Sequence, residues 1–171
     1  MKLFLTAKHW QVFLLLVGSM VGGALLQPAS LDPLLGMVVS TLLFMGVWML
    51  WLWSIAAGAN EKLDVSLRKS TRLMVLGVGF AAFYLAVSPF IWPDSEGNPG
   101  IPSLMVPMHL LAMAGIFYAL LFTANRLVTL ERRQKVSFFD YSGPFFLIWF
   151  FPLGVWFVQP RVNRLLGNNN A

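Results

Sequence analysis

The sequence predicts an all-α integral membrane protein, a helical bundle of four spanning helices followed by a fifth hydrophobic segment broken by proline and glycine. Three observations predict it. Apolar residues make up 58% of the 171-residue chain and charged residues 11%, where a soluble domain carries about 25% charged. Apolar runs at residues 10–27, 34–59, 73–92 and 105–128 hold no Asp, Glu, Lys or Arg before Arg126, and a hydrocarbon core about 30 Å thick needs about 20 such residues. The connections between these runs alternate between basic and non-basic. Subtracting the runs leaves no room for a separate soluble domain, so residues 1–171 read as one transmembrane domain.

Lys2 and Lys8 precede the first run, and Gly22-Gly23-Ala24 offers small residues where a signal peptidase would cut. The run is longer than a signal h-region, and Lys8-His9-Trp10 has the form of an interface anchor, so an uncleaved helix is expected. Gly18-x-x-x-Gly22 predicts close packing of that helix within the bundle. The link 28–33 carries only Asp32. The second run ends in Trp48, Trp51, Trp53 and Ser54. Trp48 and Trp51 share a helix face at i and i+3, which suits an interface belt, a flat ligand or a lipid headgroup.

The next connection holds Asn60, Lys62, Arg68, Lys69 and Arg72. Asp64 is expected to cap a helix that starts at Val65 and continues into the third run, with Leu63, Leu67 and Met74 along one stripe. Gly77, Gly79, Ala81, Ala82 and Ala86 make the third helix thin. The loop 93–102 carries Asp94 and Glu96 with Pro, Gly and Asn, and reads as irregular. The fourth run opens with His109 near its first turn and closes with Asn125 and Arg126, followed by Arg132, Arg133 and Lys135. Basic connections lie on the cytoplasmic side, which puts the N-terminus in the cytoplasm.

The fifth segment spans about 138–160. Ser137-Phe138-Phe139-Asp140 has the spacing of a capping box that would start it. Its apolar core, 145–159, is about 22 Å of helix at 1.5 Å per residue, with Pro152 removing a backbone donor and Gly154 permitting a sharp bend. Two architectures satisfy these residues: a kinked helix that crosses, or a re-entrant hairpin that returns Arg161 and Arg164 to the cytoplasm. Residues 167–171, Gly and Asn before the final Ala, read as a frayed tail.

Little in the chain carries chemistry. Cysteine is absent, and no P-loop, HExxH, GxSxG or embedded carboxylate pair occurs. No catalytic residue, metal or cofactor is expected. His109 and His9 fall at opposite interfaces, so they cannot share a metal. The net charge of +5 sits beside apolar runs, which points to the bilayer and its anionic lipid headgroups as partners and away from nucleic acid. Candidate binding residues are His109, Trp48, Trp51, Asn60, Asn125, Arg126 and Arg132. Asn60, Asn125, Arg126 and the Arg132-Arg133 pair are expected either to line a polar vestibule on the cytoplasmic side or to act as helix caps and snorkelling arginines.

Four elements carry a resemblance. They are Lys8-His9-Trp10-Gln11-x-Phe13-Leu14-Leu15-Leu16, Trp53-Ser54, Met108-His109-Leu110 and the C-terminal run from Phe138-x-Asp140-Tyr141 through Phe145-Phe146-Leu147-Ile148-Trp149-Phe150-Phe151-Pro152-Leu153-Gly154-Val155-Trp156 to Gln159-Pro160-Arg161-Val162-Asn163. In these the chain resembles a group of small polytopic bacterial membrane proteins. The resemblance implies a bacterial inner-membrane setting and brings no activity with it. Pro144 stands where that group carries a polar or acidic side chain, so no role transfers at that position. The expected function is that of a non-enzymatic accessory or assembly partner in the membrane, associated with other membrane subunits. A small homo-oligomeric channel or transporter is the alternative. A lipid-binding or lipid-modifying protein at the cytoplasmic interface is a third.

Overall fold

Asp32 starts the longest helix. Its carboxylate accepts the backbone N–H groups of Leu34 (2.7 Å) and Leu35 (3.4 Å), and Pro33 occupies the first turn, where its missing donor costs nothing. In the computed structural model, which describes residues 2–25, 32–91 and 104–167, the chain is all helical. The elements are α1 (Lys2–Thr6), α2 (His9–Leu25), α3 (Pro33–Lys62), a 3-10 turn (Val65–Leu67), α4 (Arg72–Ile91), α5 (Met105–Arg132), α6 (Phe138–Trp149) and α7 (Phe151–Leu166). The loop with Asp94 and Glu96, most of the first link and residues 168–171 of the tail lie outside the described residues.

By length and composition, α3, α4 and α5 can cross a membrane, so the expected count of four is three among the described residues. The first run is represented by α2, whose 17 described residues form a shorter apolar helix. Its start is set locally. Lys8 turns its backbone N–H onto the Gln11 side chain (2.8 Å), which starts α2 afresh and leaves residues 2–6 as a separate helix. From His9 to Leu25, α2 is about 26 Å long.

The helix expected from Val65 also stops early. Asp64 makes no side-chain cap, and Val65–Leu67 form only a 3-10 turn. Asn60 explains the difference. Its amide donates to the Lys69 carbonyl (2.8 Å) and accepts from the Lys69 N–H (2.9 Å), holding the connection extended until α4 begins at Arg72. Arg68 folds back to donate to the Leu63 and Glu61 carbonyls.

α3 and α5 form the centre of the bundle. α4 packs on both, α2 packs along the other flank of α3, and α6 and α7 close the ring between α5 and α2. The interior is filled by Leu16, Trp51, Leu52, Ile55, Leu120 and Leu127, with Ile148 and Val158 from the last two helices. α4 and α5 approach closely at a pair of glycines, where a Cβ on Gly115 would meet the Gly77 carbonyl oxygen at 2.6 Å. The close packing expected at Gly18 and Gly22 falls here instead, since a Cβ at either would meet nothing within 4 Å.

The fifth segment is a hairpin. Phe150 leaves helical geometry (φ −86°, ψ 57°) between α6 and α7, and Pro152 sits in the first turn of α7, where a proline is tolerated. The two arms pack side by side. Gly154 makes this possible, because a Cβ there would overlap the Leu147 carbonyl of α6. The turn reaches Phe44 of α3 (Phe151 ring, 5.4 Å) and Phe117 of α5 (Trp149 ring, 4.9 Å). Phe117 lies about 22 Å along α5 from Arg132, on a helix about 42 Å long. α6 begins and α7 ends at the end of the bundle that bears Lys62 and Arg132.

Candidate functional site

The polar groups of the described structure gather at this cationic end, where α1, the ends of α3 and α5 and both arms of the hairpin meet. Gln159 lies at the centre and is fully buried. Its carbonyl accepts from the Trp51 indole N–H (3.0 Å). Its amide donates to the carbonyls of Phe4 (2.6 Å) and Ala7 (3.1 Å) and to Asn163 (2.9 Å), and Asn163 donates to Ala7 (3.0 Å). A helix as short as α1 leaves its last carbonyls without intrahelical partners. Gln159 and Asn163, one turn apart on α7, supply the missing donors, so the two ends of the chain are sewn together.

The charged groups form a second layer. Glu131, on the last turn of α5, accepts a two-pronged contact from Arg161 and lies 3.6 Å from Arg164. Arg132 pairs with Asp140. Asp140 also accepts the Ser137 backbone N–H (2.7 Å) and hydroxyl (2.8 Å), forming the box that starts α6. The Ser137 N–H first, then its hydroxyl, with Arg132 nearby, hold the Asp140 carboxyl below the usual carboxylate range. Arg133 takes a left-handed conformation (φ 54°) to end α5 and donates to the Lys62 carbonyl (3.1 Å).

Against this geometry the sequence-predicted residues divide. Trp51 belongs to the Gln159 network, and Trp48 is buried beside it on α3 with its indole N–H lacking a hydrogen-bond partner among the described residues. Asn60 fixes the connection to α4. Arg126 is buried: it donates to the Leu67 carbonyl (2.6 Å) and to Asn125, and its guanidinium lies over the Phe122 ring at 5.6 Å. Arg126 and Asn125 therefore tie α5 to the 3-10 turn, and Arg132 pairs with Asp140 at the start of α6. His109 stands apart, exposed near the far end of α5 with its ring 5.8 Å from Tyr84. Pro152 and Gly154 form the break anticipated for them.

Sequence reasoning missed Gln159, Asn163 and Glu131. A signal existed in Gln159-x-x-x-Asn163, two amides at i and i+4 directly after an apolar run, a spacing that puts both on one face. Its partners are backbone carbonyls more than 150 residues away in sequence, and no pattern announces those.

At this end the exposed side chains of Lys69 and Arg72 make no hydrogen bond or ion pair with other described residues. The arrangement can anchor a hairpin inside an apolar bundle and present cations at its rim. Compared with protein-family models, curated proteins and solved structures, the chain matches none.

Proposed function

We propose that the chain is a non-enzymatic protein of the bacterial inner membrane, N-terminus in the cytoplasm, that serves as an accessory or assembly partner of a larger membrane system. The observation that carries this reading is the outward face of the α6–α7 hairpin. Phe146, Trp149, Phe150, Leu153 and Phe157 are all exposed, from 42% at Trp149 to 70% at Leu153. Phe146 stacks on Trp149 (6.1 Å) and Trp149 on Phe150 (5.7 Å). Contact with lipid tails asks only for aliphatic surface. Pre-stacked rings on a buried, hydrogen-bonded anchor offer a rigid shape, and shape is what drives helix association in a bilayer, where apolarity gives no preference. The cations at the base of the hairpin support the cytoplasmic orientation through the positive-inside rule.

Affinity purification of the tagged chain in mild detergent tests the proposal. The expected result is a stoichiometric foreign membrane subunit, lost from the Trp149→Ala, Phe150→Ala double variant while the chain remains monodisperse. A pure homo-oligomer that conducts ions in liposomes would replace this reading with that of a channel.

A further inference from the structure

Outside the hairpin, the described surface carries an apolar groove of about 390 Å³ between α3 and α4, walled by Gly46, Met49 and Trp53 on one side and Val75, Val78 and Gly79 on the other. No described residue fills it: a Cβ added at Gly46 or at Gly79 would meet no described atom within 4 Å. The groove runs along both helices toward the cationic end. On α3, the stripe Gly46, Leu50, Trp53 continues to Asn60, the residue that clamps the Lys69 backbone. On α4, Val75 and Gly79 share their face with Arg72, about 10 Å along the helix from Gly79. Lys69 and Arg72, whose side chains make no hydrogen bond or ion pair with other described residues, therefore stand at the mouth of the groove. Glu61 and Asp64 lie in the same connection, against the four cations Lys62, Arg68, Lys69 and Arg72.

From this placement we infer that the α3–α4 groove is a binding site for an anionic phospholipid of the surrounding leaflet, with one acyl chain lying between Gly46 and Gly79 and the phosphate held by Arg72 and Lys69. The groove is apolar along its length and open on its outer side, which suits an acyl chain. Its polar contacts exist only at the mouth, which suits a headgroup. Asn60 holds the backbone at Lys69 fixed, so the anion meets a preformed site rather than a flexible arm. Trp53, half-buried in the wall, places its ring beside the chain just below the headgroup, the depth at which tryptophan is enriched in membrane proteins. The inference needs the chain to sit in a membrane but does not depend on any protein partner at the hairpin.

The test reconstitutes the full chain in phosphatidylcholine vesicles containing a small matched fraction of either dibrominated phosphatidylglycerol or dibrominated phosphatidylcholine, and reads the part of the tryptophan quenching that disappears in Trp53→Phe. The expected result is stronger quenching by the brominated phosphatidylglycerol, with a preference that falls about fivefold for each cation removed in Lys69→Gln and Arg72→Gln. Gly79→Leu, which fills the groove, should abolish quenching of Trp53 by both lipids. If the charge variants do not fold, raising the salt in vesicles of the parent chain should reduce the preference in the same direction. Equal quenching of Trp53 by the two lipids in the parent chain would overturn the proposal. So would cross-linking of two copies through cysteines placed at Gly46 and Val75, which would assign the groove to a second chain. Loss of the foreign subunit at the hairpin would leave this result untouched, so the two readings fail separately.

Discussion

A Cβ built on Gly154 falls on the Leu147 carbonyl because the two arms of the hairpin touch backbone to backbone at this point. Gly154→Ala must therefore push the arms apart, and its cost belongs at or above the upper end of ordinary overpacking, about 3 kcal/mol. Gly18→Ala, with open space around it, should stay within about 0.5 kcal/mol of the parent. Denaturant unfolding in a fixed detergent compares the two, and equal stability would mean the arms do not meet. Pro152 and Gly154 were legible in the sequence as a break, since both disfavour a continuous helix. That Gly154 is required by contact rather than by flexibility was not legible, because Leu147 becomes its neighbour only once the corner has formed. Asp140 gives a second residue-level outcome. Its folded carboxyl titrates below the usual range because Ser137 donates to the charged form, so the stabilisation it gives is complete above the ordinary carboxylate range and lost as pH falls through the depressed value. The stability gap between the parent and Asp140→Asn should be flat through neutral pH and close only in acid. A gap that closed near pH 7 would assign the effect to another group.

At the scale of elements, the junction between α1 and α7 decides whether the ends of the chain stay docked. The Gln159 side chain makes four described hydrogen bonds, two of them to the Phe4 and Ala7 carbonyls across this junction, one to Trp51 of α3 and one to Asn163 of its own helix. Gln159→Leu keeps the volume close to the original but leaves the Phe4 and Ala7 carbonyls and the Trp51 N–H with fewer partners in an apolar interior. A loss of about 3 kcal/mol is expected, together with faster tryptic cleavage after Lys8 as α1 undocks. Unchanged cleavage would show that α1 is held by its apolar contacts through Phe4 and Leu5 alone. The long helices were legible because their signal is local: twenty apolar residues without a charge. The ends of elements were not. α1 is a separate helix because Gln11 caps Lys8, and α4 starts at Arg72 because Asn60 grips Lys69; both depend on side chains that read as ordinary polar residues in the linear chain. The capping box at Ser137 was legible because all of its parts lie within four residues.

At the scale of the whole molecule, the hairpin settles a question of chain path that charge counting left open. A fifth crossing would carry Arg161 and Arg164 to the far end of the bundle, but Arg161 pairs with Glu131 and Lys62 donates to the Leu165 carbonyl (2.9 Å). Glu131 and Lys62 close the last turns of α5 and α3, so α7 ends where those helices end, and the aromatic turn stops partway along α5. Such a path is tolerable in hydrocarbon only if the broken backbone at Phe150 is satisfied, and it is: the Phe150 N–H donates to Phe146 and its carbonyl accepts from Leu153 and Gly154. The chain lacks cysteine, so single cysteines can report on the path without removing any native one. Placed at Lys69, Gln134 and Arg164, they should react with a membrane-impermeant maleimide from one common side of the membrane, and one placed at Leu104 from the other. Labelling of the Arg164 site together with the Leu104 site would mean that α7 crosses in the bilayer, and the contact with Glu131 could not then persist there. Labelling of Arg164 with Lys69 and Gln134 would establish a re-entrant segment with both arms anchored at one face, the arrangement that the Gln159 network and the Glu131 pairs are built to hold.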